Sequence, residues 1–245
     1  MRNVAMETPE QRHGGNLYPT SLRVSFGPHD LVLDAPEGVW NPTPHAIHLG
    51  EMLLKLVFEK EHVLELGTGC GIHAILLAHL GAERLTLTEI DVDINLNAQH
   101  NLQKAGVTIP IEFEVADWTA VTGASHHGAA PWDTVVANPP FARSGKRYRR
   151  YFIDKLILDA HKLVRPGGRL VFVQSSMADI PRSIGLMEDS GMEVRIVGET
   201  DGPFREYYFE DAGYMREMAS VPGGYDLRDG VYYERLIVFE SRLPG

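Results

Sequence analysis

The sequence predicts an α/β protein built on a doubly wound, mostly parallel sheet. From Glu61 onward, short runs rich in β-branched residues alternate with longer segments of helical periodicity, a pattern typical of a parallel sheet with helices on both faces. Gly81, Gly106 and the Pro-Gly-Gly of 166–168 follow the predicted helices. Glycine accepts the left-handed conformation in which helices end, and proline cannot continue a helix.

The elements follow from these signals in chain order. The predicted strands are His62–Leu66, Arg84–Glu89, Ile111–Val115, Asp133–Ala137, Arg169–Gln174, Glu193–Gly198 and Tyr232–Glu240, which make a seven-stranded sheet. The predicted helices are Ile72–Leu80, Asp93–Ala105 and Tyr151–Val164. Residues 199–231, between the last two strands, are predicted to be an insertion rich in aromatic and acidic side chains.

Residues 1–58 are predicted to form an N-terminal extension that packs on a core of residues 59–245. A β-hairpin is expected from Leu22–Phe26 and Asp30–Leu33, because Gly27-Pro28 is a turn signal between two alternating apolar runs. A helix ending near Phe58 should follow the hairpin.

Composition narrows the class of protein. The chain has 245 residues and a net charge of −10, a balance that repels polyanions such as nucleic acids and anionic membrane surfaces. Cys70 is the only cysteine, which excludes an intrachain disulfide and a multi-thiolate metal site. Residues 1–15 lack a signal-peptide pattern, and no run of about 18 apolar residues occurs. We therefore expect a cytoplasmic protein that does not bind membranes.

A glycine-rich turn joins the first core strand to the following helix. Residues 65–71 read ELGTGCG, and glycines at alternate positions let the backbone turn sharply and approach a ligand next to the N–H donors of a helix N-terminus. The next strand ends in Glu89, 18 residues beyond Gly71, where a carboxylate can accept both hydroxyls of a ribose. The sequence therefore predicts a nucleoside-binding crevice.

The spacing of this turn distinguishes two kinds of nucleoside. A dinucleotide fingerprint reads G-x-G-x-x-G, which leaves room for a pyrophosphate, whereas this chain has G-x-G-x-G preceded by Glu65. A carboxylate at that point repels phosphate and suits a ligand with an amino group or another positive charge. With these features the chain resembles the class I S-adenosylmethionine-dependent methyltransferases, whose turn reads [DE]-x-G-x-G-x-G.

That resemblance implies a Rossmann-like fold, S-adenosyl-L-methionine as cofactor and S-adenosyl-L-homocysteine as product. It also implies that the three glycines of the turn border the amino-acid part of the cofactor, that Glu89 binds its ribose, and that Asp117 and Trp118 flank its adenine. The expected cofactor-binding residues are Glu65, Gly67, Thr68, Gly69, Gly71, Glu89, Ile90, Asp117, Trp118 and Asn138.

The fourth core strand ends in Asn138-Pro139-Pro140-Phe141. The prolines hold the chain extended, so the Asn138 side chain and the Pro139 carbonyl are presented as two fixed acceptors for a planar NH₂ group. Phe141 would offer a ring face to that group. These residues match the NPP[YF] motif of the amino-methylating branch, which includes release-factor glutamine-N5 and adenine-N6 methyltransferases. The resemblance covers roughly residues 38–198.

The acceptor is less well defined by the sequence. Expected substrate contacts are Trp40, Pro140, Arg143, Tyr148, Phe204 and Tyr207. The acidic balance, the aromatic insertion and the lack of the N-terminal helical docking domain of bacterial release-factor methyltransferases favour a small molecule or a peptide or protein. A basic cluster at 143–150 (Arg143, Lys146, Arg147, Arg149 and Arg150) keeps tRNA or rRNA adenine-N6 methylation as the alternative.

Two other classes of protein stay possible from the sequence. A nicotinamide-dependent oxidoreductase would also use a Rossmann sheet, but the sequence lacks the later glycine and a Ser/Tyr/Lys proton relay. A catalytically silent, cofactor-binding subunit would retain the glycine turn and serve as a partner of another protein. No metal dependence is expected, because the adjacent His126 and His127 and the pair Cys70 and His73 lack further ligands nearby.

Overall fold

The structure, a computed structural model, describes residues 20–36, 39, 41–121, 131–140, 150–210 and 212–245, apart from the side chains of Thr20 and Tyr207. The strands are β1 (Thr20–Phe26), β2 (His29–Ala35), β3 (His62–Leu66), β4 (Arg84–Glu89), β5 (Ile111–Val115), β6 (Trp132–Ala137), β7 (Val164–Ser175), β8 (Glu193–Pro203), β9 (Asp226–Arg228) and β10 (Val231–Arg242). The helices are α1 (Pro44–Leu53), α2 (Ile72–His79), α3 (Val92–Lys104), α4 (Tyr151–Leu163), α5 (Ile180–Asp189) and α6 (Ala212–Ala219).

A mixed sheet with the strand order β5-β4-β3-β6-β7-β10-β8 forms the centre of the fold, and the short β9 pairs with β10, so the described residues form eight strands in this sheet. Strands β3 to β7 are parallel, whereas β10 is antiparallel to both β7 and β8. The doubly wound, mostly parallel sheet is confirmed, with all seven predicted strands present. Because β8 runs in the same direction as β7, its end emerges at the same edge of the sheet as Asn138.

Both faces of the central strands are buried. On β6, Val136 belongs to a core cluster shared with the hairpin, α1 and α2, and Val135 belongs to a second cluster shared with α4 and α5. Strands that are buried on both faces have continuous runs of apolar residues. The sequence of β6 (WDTVVA) ends in such a run.

Capping residues set the helix boundaries. The Thr43 side chain accepts a hydrogen bond from the N–H of Ala46 (3.4 Å) at the start of α1. The Asp91 side chain accepts from two N–H groups at the start of α3. Gly81 and Gly106 have positive φ angles of 92° and 72°, which confirms the sequence prediction that glycines end α2 and α3.

The prediction that the first helix ends near Phe58 is wrong, because α1 ends at Leu53. The following residues leave the helix in turns, and Phe58 is fully buried. The guanidinium carbon of Arg169 lies 4.8 Å from the centre of the Phe58 ring, and Arg169 also donates a hydrogen bond to the Val57 carbonyl. These contacts with Arg169 of β7 hold Val57 and Phe58 outside the helix.

Sequence periodicity also missed three elements and two strand ends. Strand β7 begins at Val164, the last residue of the predicted helix Tyr151–Val164, rather than at Arg169. Helices α5 and α6 and strand β9 were not predicted, and β8 continues to Pro203 rather than ending at Gly198. In α5 the apolar stripe is interrupted, because Ser183 is fully buried between the apolar positions Ile180 and Met187. The missed elements have only 10, 8 and 3 residues, so each shows few repeats of its period.

The N-terminal hairpin is joined to the core by a buried asparagine. Asn101 on α3 donates to the Asp34 carbonyl and to the Cys70 carbonyl, both at 2.9 Å, and its side-chain oxygen accepts from the Asp34 N–H at 2.8 Å. Lys104 adds an ion pair to Asp34 at 2.7 Å. One side chain thus connects the hairpin to the glycine-rich turn. The boundary after residue 58 and the insertion at about 199–231 stay predictions.

Alanine substitutions at two helical glycines test the packing of the hairpin on α1. A methyl group at Gly50 would overlap the Phe26 ring, whose Cζ lies 2.5 Å from the added carbon, whereas nothing lies within 4 Å at Gly185 in α5. We expect Gly50→Ala to lower the free energy of unfolding by about 1–3 kcal/mol through overpacking, and Gly185→Ala to raise it by about 0.5–1 kcal/mol. Urea denaturation of both variants measures this, and equal shifts of the same sign would contradict the packing.

Candidate active site

The carboxyl ends of four neighbouring strands bring the predicted cofactor residues to one edge of the sheet. In the order β5-β4-β3-β6 these strands lead into Asp117, Glu89, the glycine-rich turn and Asn138. The register places Leu66 of β3 opposite both Thr88 of β4 and Ala137 of β6. Open α/β sheets bind ligands in the crevice at this edge.

The glycine-rich turn is shaped by backbone conformations that other residues rarely adopt. Gly67, Gly69 and Gly71 have φ angles of 72°, 54° and 83°, so a side chain at any of them would be strained. Gly71 is the N-cap of α2. A Cβ atom added at Gly71 would lie 3.5 Å from Ala98 of α3. The first N–H groups of α2 therefore follow a turn whose three glycines place no side chain beside them.

Glu89 is held at the mouth of the crevice by backbone N–H groups. Its Oε2 accepts from the Gly69 N–H at 3.1 Å, and its Oε1 accepts from those of Ile90 (2.8 Å) and Asp91 (3.3 Å). A carboxylate oxygen has two lone pairs, so Oε2 retains capacity for a further donor, as binding of a ribose hydroxyl requires. Ile90 is 67% exposed beside it.

Asp117 and Trp118 follow β5 at the same edge. The exposed Asp117 accepts hydrogen bonds from the N–H (3.0 Å) and hydroxyl (2.7 Å) of Thr119 and caps a 3₁₀ turn of 118–120. The Trp118 ring packs on Phe152, with ring centres 5.4 Å apart. A Cβ atom added at Gly67 would lie 3.9 Å from Trp118 Cδ1. Trp118 therefore lies next to the glycine-rich turn.

The buried side chains of Glu65 and Thr68, both within the glycine-rich turn, are joined by a hydrogen bond. The Thr68 hydroxyl donates to Glu65 Oε2 at 2.6 Å, and the other carboxylate oxygen lies 3.2 Å from His73 Nδ1. His73 Nε2 lies 2.8 Å from the Ala46 carbonyl of α1. Glu65 and His73 are 2% and 4% exposed. Sequence reasoning missed His73 as a site residue, because its contact with Ala46 exists only in the folded chain.

Asn138 and its prolines continue β6 at the opposite side of the glycine-rich turn from Glu89. Asn138 is half-buried, Pro139 is buried and Pro140 is exposed. Phe141 lies outside the described residues, as do Trp40, Arg143 and Tyr148 among the expected substrate contacts. The side chain of Tyr207 is likewise outside the description.

One member of the basic cluster has a structural role. Arg150 pairs with Asp154 at 2.7 Å and donates to the Asp179 carbonyl and to the Ser183 hydroxyl. Its side chain is 11% exposed, so Arg150 holds α4 against α5 and is not open to a phosphate. The other four basic residues of the cluster, within 143–149, lie outside the description.

The aromatic residues of the insertion pack mainly on one another. The half-buried Phe204 stacks on Tyr232 and meets Tyr225 edge-on, each with ring centres 5.6 Å apart. Tyr208 is 3% exposed, whereas Phe209 is 48% exposed. These contacts hold Phe204 against Tyr225 and Tyr232. A substrate contact by Phe204 stays a prediction.

A buried polar cluster lies where α1, β10 and the insertion meet. Arg205 donates to His45 Nδ1 at 2.8 Å, and His45 Nε2 lies 3.7 Å from Glu234 Oε2. Burial, together with the charge of Arg205, lowers the pKa of His45 to about 3. Burial also raises the pKa of Glu234 to about 7, against the opposing effects of hydrogen bonds with Ser175 and Tyr208.

Within the described ranges, no three His, Cys, Asp or Glu side chains are grouped as ligands of a metal ion would be. Burial raises the pKa of the Cys70 thiol to about 11, so this cysteine is neutral and unsuited to bind a metal or attack a substrate. His126 and His127 fall outside the description. No helix among the described residues combines the length and the apolar character needed to cross a bilayer.

Comparisons with known proteins give matches to methyltransferases. The family model of the methyltransferase small domain matches residues 46–204, more than half of the chain. The chain is 26% identical, over 69% of its length, to a putative protein N5-glutamine methyltransferase from Methanocaldococcus jannaschii, and it covers 88% of that protein. It is also 26% identical, over 52% of its length, to the tRNA1(Val) (adenine(37)-N6)-methyltransferase of Serratia proteamaculans, of which it covers 50%.

Among solved structures, a 16S rRNA methyltransferase from T. thermophilus in complex with AdoMet and guanosine superposes with a TM-score of 0.59 at 17% identity. The alignment covers 90% of this chain and 49% of that chain. At this level of identity the similarity concerns the fold, and it confirms the predicted Rossmann-like architecture.

Glu234 should make the stability of the protein depend on pH. Because its pKa rises from about 4.5 in the unfolded chain to about 7 in the fold, its contribution to stability is full below pH 4.5 and is lost as the pH rises through 7. Glu234→Gln removes the titration. The difference in unfolding free energy between wild type and this variant should fall by about 3 kcal/mol from pH 4.5 to pH 8.

Urea denaturation at both pH values gives the two differences. Glu206→Gln, at an exposed position in the same insertion, is the matched control and should show no such trend. A difference between wild type and Glu234→Gln that is constant with pH would show that the carboxyl group is not protonated in the fold.

Proposed function

The chain belongs to the methyltransferase small domain family, and we propose that it transfers a methyl group from S-adenosylmethionine to a planar, conjugated nitrogen of a small molecule, peptide or protein. The observation that carries the proposal is the placement of Glu89 and Asn138 on either side of the glycine-rich turn, at the carboxyl ends of strands that both neighbour β3. A nucleoside held by Glu89 would extend along this edge toward Asn138.

The residues of the crevice fit the cofactor. Glu89 Oε2 keeps a lone pair for a ribose hydroxyl, no side chain caps the α2 N-terminus, and Trp118 offers an aromatic surface beside Gly67. Glu65, below the turn, supplies negative charge toward an amino-acid group. When bound, S-adenosylmethionine supplies a methyl group on a positively charged sulfur. The lack of a phosphate-binding spacing argues against a nicotinamide dinucleotide in the same crevice.

Asn138 and Pro139 would orient the acceptor. A planar NH₂ is a poor nucleophile because its lone pair is delocalised. Two acceptors, Asn138 Oδ1 and the Pro139 carbonyl, would accept its two hydrogens, favour a pyramidal nitrogen and stabilise the positive charge that develops there. No strong base is required, since a proton leaves after the transfer. Alignment supplies most of the acceleration, and effective molarities of about 10⁵ M are attainable in this way.

The choice of acceptor class is supported by charge and by one relative. The net charge of −10 disfavours a polyanionic substrate, and Arg150 is engaged in ion pairs within the fold. The M. jannaschii relative is named as a protein N5-glutamine methyltransferase, whose acceptor is a carboxamide nitrogen, a planar NH₂ of the kind proposed.

The second candidate is an adenine-N6 methyltransferase acting on tRNA or rRNA. The S. proteamaculans relative carries a tRNA adenine-N6 name, so the comparisons support both candidates equally. Arg143, Lys146, Arg147 and Arg149 provide the basic residues in the sequence that a phosphate backbone would need.

Labelling separates the two candidates. A cell extract from a strain that lacks the protein is incubated with the purified chain and S-adenosylmethionine carrying a radioactive methyl group. Label in the protease-sensitive or small-molecule fraction supports the first candidate, and label in the nuclease-sensitive fraction supports the second. Absence of label in every fraction, with cofactor binding intact, would favour a silent binding subunit.

Glu89→Ala should weaken cofactor binding. Loss of charge-assisted hydrogen bonds to the ribose predicts a dissociation constant for S-adenosylhomocysteine that is higher by roughly 10- to 100-fold. Calorimetric titration measures it. Glu112→Ala, at an exposed position on the neighbouring strand β5, is the matched control and should bind as wild type does. Unchanged affinity in Glu89→Ala would remove Glu89 from the cofactor site.

Asn138→Ala should separate binding from turnover. Because Asn138 acts on the acceptor, we expect cofactor affinity within about twofold of wild type and kcat lower by roughly 100-fold or more. The acceptor found by labelling serves as substrate, and Gln103→Ala, exposed on α3, serves as control. Equal losses of cofactor affinity and of kcat would contradict the assigned role.

A further inference from the structure

Strand β9 extends the sheet beyond the end of β7. Asp226 of β9 and Pro203 of β8 both pair with Tyr233 of β10. A strand has two edges, so β9 lies on the side of β10 away from β8. Strand β7 lies on that same side, and its pairing with β10 ends at Ser175. Because the other neighbour of β7 is β6, which leads into Asn138, β9 lies beyond the carboxyl edge of the sheet and one strand away from the proposed acceptor site.

One face of this extension carries an exposed apolar surface centred on Tyr232. Its ring centre lies 5.6, 5.4 and 5.3 Å from the ring centres of Phe204, Phe209 and Tyr225. Leu227 of β9 is directly opposite Tyr232, and opposite residues of an antiparallel pair share a face. Phe209 and Leu227 are 48% and 57% exposed. We call these five residues the aromatic face.

The segment between β8 and β10 has a buried core that does not need the whole aromatic face. The members of this core are Met177, Tyr208, Tyr214 and Met218, each at most 3% exposed. Phe204 and Tyr225 pack against it, whereas Phe209 and Leu227 face solvent. Adjoining aromatic and large apolar side chains that stay exposed are typical of surfaces that bind other molecules.

Acidic residues surround the aromatic face. The sequence of 206–231 contains six acidic and two basic residues. The acidic residues next to the face are Glu206, Glu210, Asp226 and Asp229, all of them exposed. Arg228 of β9 pairs with Asp201 at 2.5 Å and with Asp226 at 2.8 Å, so its positive charge is compensated. An apolar surface with a negative rim attracts lysine and arginine side chains and repels phosphate.

We propose that the aromatic face binds a segment of a protein acceptor that carries apolar and basic side chains. The inference rests on the proposed function, whose acceptor class it narrows to a protein. Apolar side chains of the segment pack on Phe209, Leu227 and Tyr232, and its basic side chains lie against the acidic rim. Because β9 is one strand away from β6, docking there brings the acceptor nitrogen towards Asn138.

Charge favours a polypeptide over the other occupants of such a face. Bases of single-stranded RNA also stack on aromatic rings, but RNA sites of this kind combine the rings with a positively charged groove for the backbone. In the described part of the rim, the basic residue Arg228 is held by two carboxylates. A second copy of the chain would bring two acidic rims together, which like-charge repulsion opposes.

Selection from a library of short random peptides tests the face directly. The full-length chain is the target. We expect the selected peptides to combine leucine, isoleucine or phenylalanine with lysine and arginine, and to bind the double variant Phe209→Gln/Leu227→Gln about tenfold more weakly or worse. Leu158→Gln, at a 51% exposed position on α4, is the matched control and should bind them as wild type does.

Kinetics test the role of the face in methylation. The protein acceptor found by labelling is purified and offered to wild type and to the double variant. We expect the KM for this protein to be about tenfold higher in the double variant, with kcat and the affinity for S-adenosylhomocysteine within about twofold of wild type. Glu206→Lys should also raise the KM, because it reverses a charge of the rim, and added salt should raise the KM of wild type.

The outcomes separate this inference from the proposed function. Selected peptides that bind the double variant as tightly as wild type, or an unchanged KM for the protein acceptor, would refute the docking surface and leave the proposed function standing. So would a dimer in sedimentation experiments that the double variant dissociates, because a second copy would then cover the face. Label confined to the small-molecule or the nuclease-sensitive fraction would refute a protein acceptor. If neither S-adenosylmethionine nor S-adenosylhomocysteine binds, the proposed function itself fails.

Discussion

The parallel pairing of β3 with β4 on one side and with β6 on the other is the constraint on which the site depends. Parallel strands end at the same edge, so Glu89, the glycine-rich turn and Asn138 meet there although they are far apart in the chain. The hydrogen bond from the Gly69 N–H to Glu89 then links the turn of one strand to the carboxylate of the next. A shift of register by one residue would turn Glu65 and Glu89 to the other face of the sheet.

The part of the chain before residue 59 is hydrogen-bonded to α2 and, through Asn101, to the glycine-rich turn. Its first helix accepts the hydrogen bond of His73 through the Ala46 carbonyl, and its hairpin is tied to the Cys70 carbonyl through Asn101. Both connections reach the glycine-rich turn from outside the α/β core. The positions of Glu65 and of the α2 N-terminus are therefore set partly by residues that precede residue 59.

The chain after β8 combines packed aromatic rings with a buried polar cluster. Phe204 packs on the rings of Tyr208 and of Tyr232 in β10, next to Arg205 in the chain. Arg205 and Glu234 then enclose His45 from two sides, at the start of the helix whose next residue contacts His73. The buried polar cluster and the Glu65–His73 contact thus meet at the first turn of α1.

The sequence by itself determined the sheet, the glycine-rich turn and the order of the chemical groups along its edge, because strand alternation, glycine spacing and Asn-Pro-Pro are local signals. Strand β3 was predicted with the residues it has in the structure, as were β4 and β5. Only the tertiary structure decided the end of α1, which Arg169 and the burial of Phe58 fix, and the contacts of His73, His45 and Glu234. Those contacts join residues such as His45 and Glu234, which are distant in the chain, and local periodicity carries no information about them.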